Sequence, residues 1–134
     1  MWTKKISVGI EEIDNQHRKF ISMINDAYDM VGNRNSSGLV KIAKDIVFYA
    51  SIHFETEESM LKRWEYPLLA QHKKEHEKIF RDAVAFYDRI DREGGRALGD
   101  FLDFLKDWFN NHLSKFDMAY AEYYKEKGFI ESSE

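Results

Sequence analysis

Residues 39–64, LVKIAKDIVFYASIHFETEESMLKRW, set Ile42, Ile46, Tyr49, Ile52, His53, Met60, Leu61 and Trp64 at the three- and four-residue spacing of one helix face. No proline or glycine interrupts the stretch and strand-like alternation is missing, so the spacing predicts a long amphipathic helix. On its N-terminal side lies Gly32-Asn33-Arg34-Asn35-Ser36-Ser37-Gly38, a run of turn formers. Before it, from about Asp14 to Val31, the positions Ile13, His17, Phe20, Ile21, Ile24, Tyr28 and Val31 repeat the pattern. On the C-terminal side Glu65-Tyr66-Pro67 marks a second break, with Pro67 suited to the first turn of a following helix. A third helix follows over about Leu68 to Asp91, carried by Leu69, His72, His76, Ile79, Phe80, Ala83, Phe86, Tyr87 and Ile90. After Glu93-Gly94-Gly95, the residues Leu98, Phe101, Leu102, Leu105, Phe109, His112, Phe116 and Tyr120 define a fourth over about Arg96 to Tyr124. Long helices on short connections favour antiparallel neighbours. The expected fold class is all-α: an up-down-up-down antiparallel four-helix bundle, with an extended N-terminal arm over residues 1–13 and a C-terminal tail from about residue 125.

The 134 residues make one domain over 1–134, long enough to bury a core without covalent staples. Zero Cys excludes disulfides, Cys-ligated zinc, iron–sulfur clusters and thiol catalysis. With 20 Lys+Arg against 24 Asp+Glu the net charge is -4, which argues against a nucleic-acid partner. No apolar run follows Lys4 and Lys5 to make a secretory signal. None approaches the roughly 18 residues of a membrane span. A cytoplasmic protein with neither nucleic acid nor membrane as partner is the expectation.

All five histidines, His17, His53, His72, His76 and His112, fall on the apolar stripes. One such imidazole is usually a hydrogen-bonded core residue, because an unpaired buried one costs free energy. Five of five need another reason. His53 and Glu57 are four apart, as are His72 and His76, so each pair shares a helix face. Depth agrees across all three turns, since helices rise equally per residue. His17 and His53 each lie about 18 residues from the first turn, and His76 and His112 about 18 from the third. Glu57, His72 and His76 lie about 6–10 from the second. Asp117 comes five after His112, about 140° off the face of an ideal helix. It reaches the same layer only if the helix is distorted near Leu113–Phe116, for which a π-bulge is one form.

Five imidazoles and two carboxylates at one level make a metal site, with too many ligands for one tetrahedral zinc. Imidazole with carboxylate suits iron especially, alongside zinc, copper and nickel. Two six-coordinate-capable ions bridged by Glu57 and Asp117 use all seven side chains. The donor set is richer in neutral imidazole than the four-carboxylate ferritin-like pattern. It is therefore expected to bind dioxygen without cleaving it.

Together His17, His53-x-x-x-Glu57, His72-x-x-x-His76 and His112-x-x-x-x-Asp117 resemble the seven-ligand signature of the hemerythrins. The resemblance spans Trp2 to about Tyr124. It includes Ile13-Asp14-Asn15-Gln16 before His17, Trp108 four before His112 and Tyr120 three after Asp117. The stand-alone length is most similar to a bacteriohemerythrin. This resemblance implies two iron ions (Fe2+/Fe3+) and no haem. His72, His76 and His112 would hold one iron, coordinatively full, and His17 and His53 the other, with one position open. Glu57, Asp117 and a solvent-derived oxo or hydroxo would bridge the pair. Dioxygen would bind reversibly at the open iron as a hydroperoxide, for storage, transport or sensing, and small anions would bind the ferric form. The chain is thus expected to be an oxygen-binding protein and not an enzyme. The alternative is a di-iron peroxidase, ferroxidase or nitric-oxide-handling enzyme on the same scaffold.

A dry pocket beside the ions is expected. Spacing points Phe20 and Phe109 into the ligand layer. The resemblance adds Phe54, Trp108 and Leu113 to the oxygen pocket, and suggests that Trp2 covers a bundle end. Lys73 and Lys74 should face water by helical angle. The outer imidazole nitrogens need acceptors, for which Gln16, Glu75 and backbone carbonyls are candidates.

Overall fold

The computed structural model describes residues 8–32 and 36–128; Trp2 lies outside them. Four helical rods run along the chain. The first is α1 (Glu11–Tyr28) and the second α2 (Ser36–Arg63). The third joins α3 (Leu69–Val84) to α4 (Phe86–Glu93). The fourth joins α5 (Gly95–His112) to α6 (Met118–Glu126) through a π-helical turn at Leu113–Asp117. There is no strand among the described residues. Helix α2 packs against α1, α3 and α4, while α5 packs against α1 and α4. The result is a four-helix bundle, and no described helix is long and apolar enough to cross a membrane.

Of the expected arm, residues 1–7 lie outside the described residues, and α1 already begins at Glu11. Glu11, Glu12 and Asp14 sit in its first turn, where the helix dipole favours negative charge. Asp14 also accepts the backbone N–H of buried Val8 at 2.7 Å, which ties the end of the arm down. The third rod is interrupted at Ala85, whose right-handed backbone (φ -61, ψ -22) continues the rod's direction.

Each of the two described turns has a local cause. Helix α2 ends in a Schellman motif: Tyr66 N–H bonds Leu61 C=O at 2.9 Å, and Glu65 N–H bonds Lys62 C=O at 3.1 Å. Glu65 supplies the left-handed residue, at φ 54. The Tyr124 hydroxyl donates to the Trp64 carbonyl at 2.8 Å, satisfying an acceptor the helix end leaves over. Between α4 and α5, Gly94 sits at φ 70, and a Cβ on Gly95 would lie 1.6 Å from the Val31 carbonyl oxygen. The absence of a side chain at Gly95 lets Val31, three residues past α1, lie against the start of α5.

Ile24, Leu39, Ile46, Leu61, Ile90, Leu98, Phe101 and Leu102 are fully buried along the bundle axis. Each side chain of this kind contributes about 1.5–3 kcal/mol of transfer free energy. Ile52 and Phe80, expected on the core face, are instead 40% and 43% exposed. Ile52 adjoins His53, and neighbours on a helix point about 100° apart. His53 and Phe54 both turn inward, and Ile52 stands about 200° round the helix from Phe54.

Candidate metal centre

Two-thirds of the way along α2, His53 and Glu57 project inward one turn apart. His72 and His76 do the same from α3, with His17 on α1 and His112 at the end of α5. Asp117 closes the π-helical turn, and the wider turn brings a residue five after His112 back to the same face. All seven side chains are buried, His53 being the most exposed at 7%. Their donor atoms form two groups that share Glu57. One is Glu57, His72, His76 and His112; the other is His17, His53, Glu57 and Asp117; within each, the atoms lie within 4.8 Å of one another.

The carboxylates are placed between the groups. Glu57 turns Oε1 to His72, with which it is in close contact, and to His76 at 3.2 Å. Its Oε2 lies 3.7 Å from His53 Nε2 and accepts the Tyr120 hydroxyl at 2.9 Å. Asp117 turns Oδ2 to His17 Nε2 at 3.2 Å, and Oδ1 to His112 Nε2 at 3.2 Å and His72 Nε2 at 3.5 Å. Each carboxylate therefore offers one oxygen to the three-histidine group and the other to the two-histidine group.

The imidazoles are held from behind. His53 Nδ1 lies 2.6 Å from Gln16 Oε1, and the Gln16 amide donates to Thr56 Oγ1 at 3.3 Å. The Thr56 hydroxyl is itself committed to Ile52 C=O, so Gln16 presents oxygen and His53 Nδ1 must donate. His76 Nδ1 donates to Glu58 at 2.8 Å. In both rings Nε2 then faces the layer, where it can offer a lone pair to an ion once no proton occupies it. Ring faces add support: Phe54 stacks on His76 with centroids 4.0 Å apart, and His112 lies between Trp108 and Phe116. Trp108 is fixed by donating Nε1–H to Glu75 at 3.2 Å. Glu75 thus positions a ring that packs on a ligand and is not itself behind an imidazole, whereas Gln16 is. Glu58 escaped the sequence reading. Its only signal is that it follows Glu57 and so stands about 100° round the helix from it. Lys73 and Lys74 are exposed, as their helical angle predicts.

The layer is electrostatically incomplete without a cation. His17 and His53 Nε2 atoms face each other at 3.1 Å, and those of His76 and His112 at 3.2 Å. Neither pair can oppose two lone pairs, so each needs a proton or a positive ion between them. Both Asp117 oxygens are buried without a hydrogen bond among the described residues, as are the Nδ1 atoms of His17, His72 and His112. Burial pushes the His112 imidazole down, but Asp117 and Glu57 overcome this and raise it to about 10. Burial likewise opposes His76, whose bonds to Glu57 and Glu58 lift it. Burial lowers His53 to about 4 against the pull of Glu57. Burial would also raise Glu57, yet the imidazoles of His112, His72 and His76 around it hold it well below the usual carboxylate range. Protons therefore fill the role that a bound cation takes over, and metal binding releases them. Nitrogen donors on a shared ion at about 2.0–2.1 Å come about 3 Å apart when they subtend a right angle. The observed spacings match, and the seven donors fit a non-haem metal.

Beside the layer lies a cavity of about 10 Å³ lined by His17, Phe20, Ala50, His53, Phe54, Trp108, Phe109 and His112. Phe20, Phe54, Trp108 and Phe109 therefore stand together against the donors. Leu113 is buried but is not among these lining residues.

A four-helix bundle with an interior girdle of five histidines and two carboxylates defines the class, a non-haem metal-binding protein. The sequence model of the hemerythrin HHE cation binding domain matches residues 8–124. The chain is 32% identical over 126 residues to a bacteriohemerythrin of Stenotrophomonas maltophilia, covering 93% of this chain and 81% of that one. It is 28% identical over 127 residues to a bacteriohemerythrin of Clostridium acetobutylicum, covering 91% and 98%. A crystal structure of wild-type hemerythrin superposes with a TM-score of 0.80 at 26% identity, over 91% of this chain and 95% of that one. The chain belongs to the hemerythrin family.

Proposed function

We propose that the chain is a non-haem di-iron protein that binds dioxygen reversibly, serving oxygen storage, transport or sensing and not a catalytic turnover. His72, His76 and His112 would hold one iron and His17 and His53 the other. Glu57 and Asp117 would span the pair together with a solvent-derived oxo or hydroxo bridge. The observation that carries this reading is the division of both carboxylates between a three-histidine and a two-histidine group. Two ions of unequal ligation would suit this division, and the one held by fewer protein donors would have room for a small ligand. When bound, the ferrous pair supplies the two electrons that dioxygen needs. The protein's own part is to exclude water. Phe20, Phe54, Trp108 and Phe109 wall the cavity against His17 and His53, so a small apolar gas enters more readily than a hydrated anion. A cytoplasmic location is part of the same proposal.

The test is an optical spectrum of iron-loaded protein cycled between air and vacuum. A visible band that rises under air, disappears on degassing and returns over several cycles is expected. Direct conversion to a stable ferric spectrum under air would contradict a carrier and favour a peroxidase, ferroxidase or nitric-oxide-handling enzyme.

A further inference from the structure

The geometry points to a built-in difference in metal affinity between the two halves of the site, set by a carboxylate behind one histidine and a neutral amide behind another. Glu58 stands behind His76 at 2.8 Å, and Gln16 behind His53 at 2.6 Å. The half containing His72, His76 and His112 consequently fills first and holds its ion more tightly. This inference rests on the two-ion reading above and adds the order of assembly to it.

Both imidazoles donate Nδ1–H outward, so both present a lone pair to the ion, but the acceptors differ in charge. A hydrogen bond to a carboxylate is roughly twice as strong as one between neutral groups. It also draws the ring toward imidazolate character and makes Nε2 the better donor. Gln16 fixes His53 in position without that gain, because its amide is neutral and pinned by Thr56. The Glu58 side chain is 23% exposed on the wall of a groove of about 630 Å³ between α2 and α3, where Lys62 and Lys73 also lie. The three remaining imidazoles have no Nδ1 partner among the described residues. Glu58 and Gln16 are thus the two side chains through which the halves are tuned from outside. Both are positioning residues, since neither offers an atom to the ions.

The experiment titrates Co2+ without air into the metal-free full-length protein. Dissociation constants are read by competition with a coloured chelator. The order of filling is read from the shifted, exchangeable Nδ1–H signals of His76 and His53 in the proton NMR spectrum. In the unsubstituted protein the His76 signal is expected with the first equivalent and that of His53 with the second. Glu58→Gln, which keeps the hydrogen bond and removes the charge, is expected to weaken the tighter site by about 10–100-fold. It should leave the weaker constant in place, while Glu58→Asp recovers part of the loss. Gln16→Glu is expected to tighten the weaker site, and the double exchange to narrow the gap between the two constants. Two Co2+ per chain with constants and order unmoved by Glu58→Gln or Gln16→Glu would overturn the inference and leave the di-metal reading standing. One Co2+ or none would overturn both. Thermal melts of the metal-free variants separate an altered site from an unfolded chain.

Discussion

Replacing Tyr120 by Phe removes one oxygen atom from the middle of the bundle and nothing else. The ring is fully buried, with Tyr66 and His72 near it at centroid distances of 6.2 and 5.8 Å, and these contacts stay. What is lost is the hydroxyl that donates to Glu57 Oε2 at 2.9 Å. Burial, with Glu57 and Asp117 nearby, holds the phenol well above its usual pKa, so it is a donor at neutral pH. A hydrogen bond to a charged acceptor is worth about 1.5–3 kcal/mol, and this one leaves a buried carboxylate oxygen short of a partner. For a chain of this length, 1 kcal/mol moves the melting temperature by about 3–5 °C. Metal-free Tyr120→Phe is therefore expected to melt about 5–15 °C below the parent. With zinc bound, a cation shares the Glu57 carboxylate and the deficit should shrink. Differential scanning calorimetry of both proteins, with and without zinc, makes the comparison. An unchanged metal-free melting temperature, or a larger deficit in the zinc form, would refute the assignment of Tyr120 as the donor that steadies Glu57.

Phe109→Ala opens the cavity wall beside His17, 5.1 Å away between ring centroids, at a stability cost of about 3–5 kcal/mol. The lifetime of the oxygenated form should fall; an unchanged lifetime would reduce Phe109 to packing. Glu65→Gly places the preferred residue at the left-handed position closing α2 and is expected to stabilise by about 0.5–1 kcal/mol in urea unfolding. A loss would mean that the Glu65 side chain contributes something its backbone strain conceals. The metal-free protein should be most stable near pH 6.5. His53, lowered to about 4, contributes stability that is present above its unfolded pKa near 6.5 and lost as pH falls through 4. His112, raised to about 10, contributes stability that is present below 6.5 and lost as pH rises through 10. Above that, the Tyr124 phenol, pushed up to about 12 first by burial, adds a further alkaline loss. A urea midpoint of metal-free protein that rises steadily from pH 7 to 9 would contradict this balance.

The bundle and its donor layer were legible because helix geometry converts residue counts into heights and angles. The same arithmetic required a distortion between His112 and Asp117, and the π-helical turn occupies Leu113–Asp117. What escaped it depended on the third dimension. Ala85 is an ordinary helix former, and nothing in its sequence surroundings announces a break in the third rod. Glu65 adopts a glycine-like backbone because the Schellman hydrogen bonds and the α2–α3 approach over-determine it, against its own preference. Ile52 and Phe80 match the apolar period but lie where the stripe drifts to the surface. Glu58 reads as one more solvated acid beside Glu57, and only the antiparallel register of α2 and α3 sets it against His76. Gln16 and Glu75 looked equivalent as acceptors, and their separation into a histidine partner and a tryptophan partner depends on which rod each one faces.

Seven side chains in one layer, divided between two ions, would take up two equivalents of iron. An anaerobic titration of metal-free protein with Fe2+, followed by the quenching of tryptophan fluorescence with Trp108 stacked on His112, measures that number. A break is expected at two iron ions per chain, and at no more than one in Asp117→Ala, which lacks one of the two spanning carboxylates. A break at a single ion in the unsubstituted protein, or no saturable quenching, would contradict the two-ion reading.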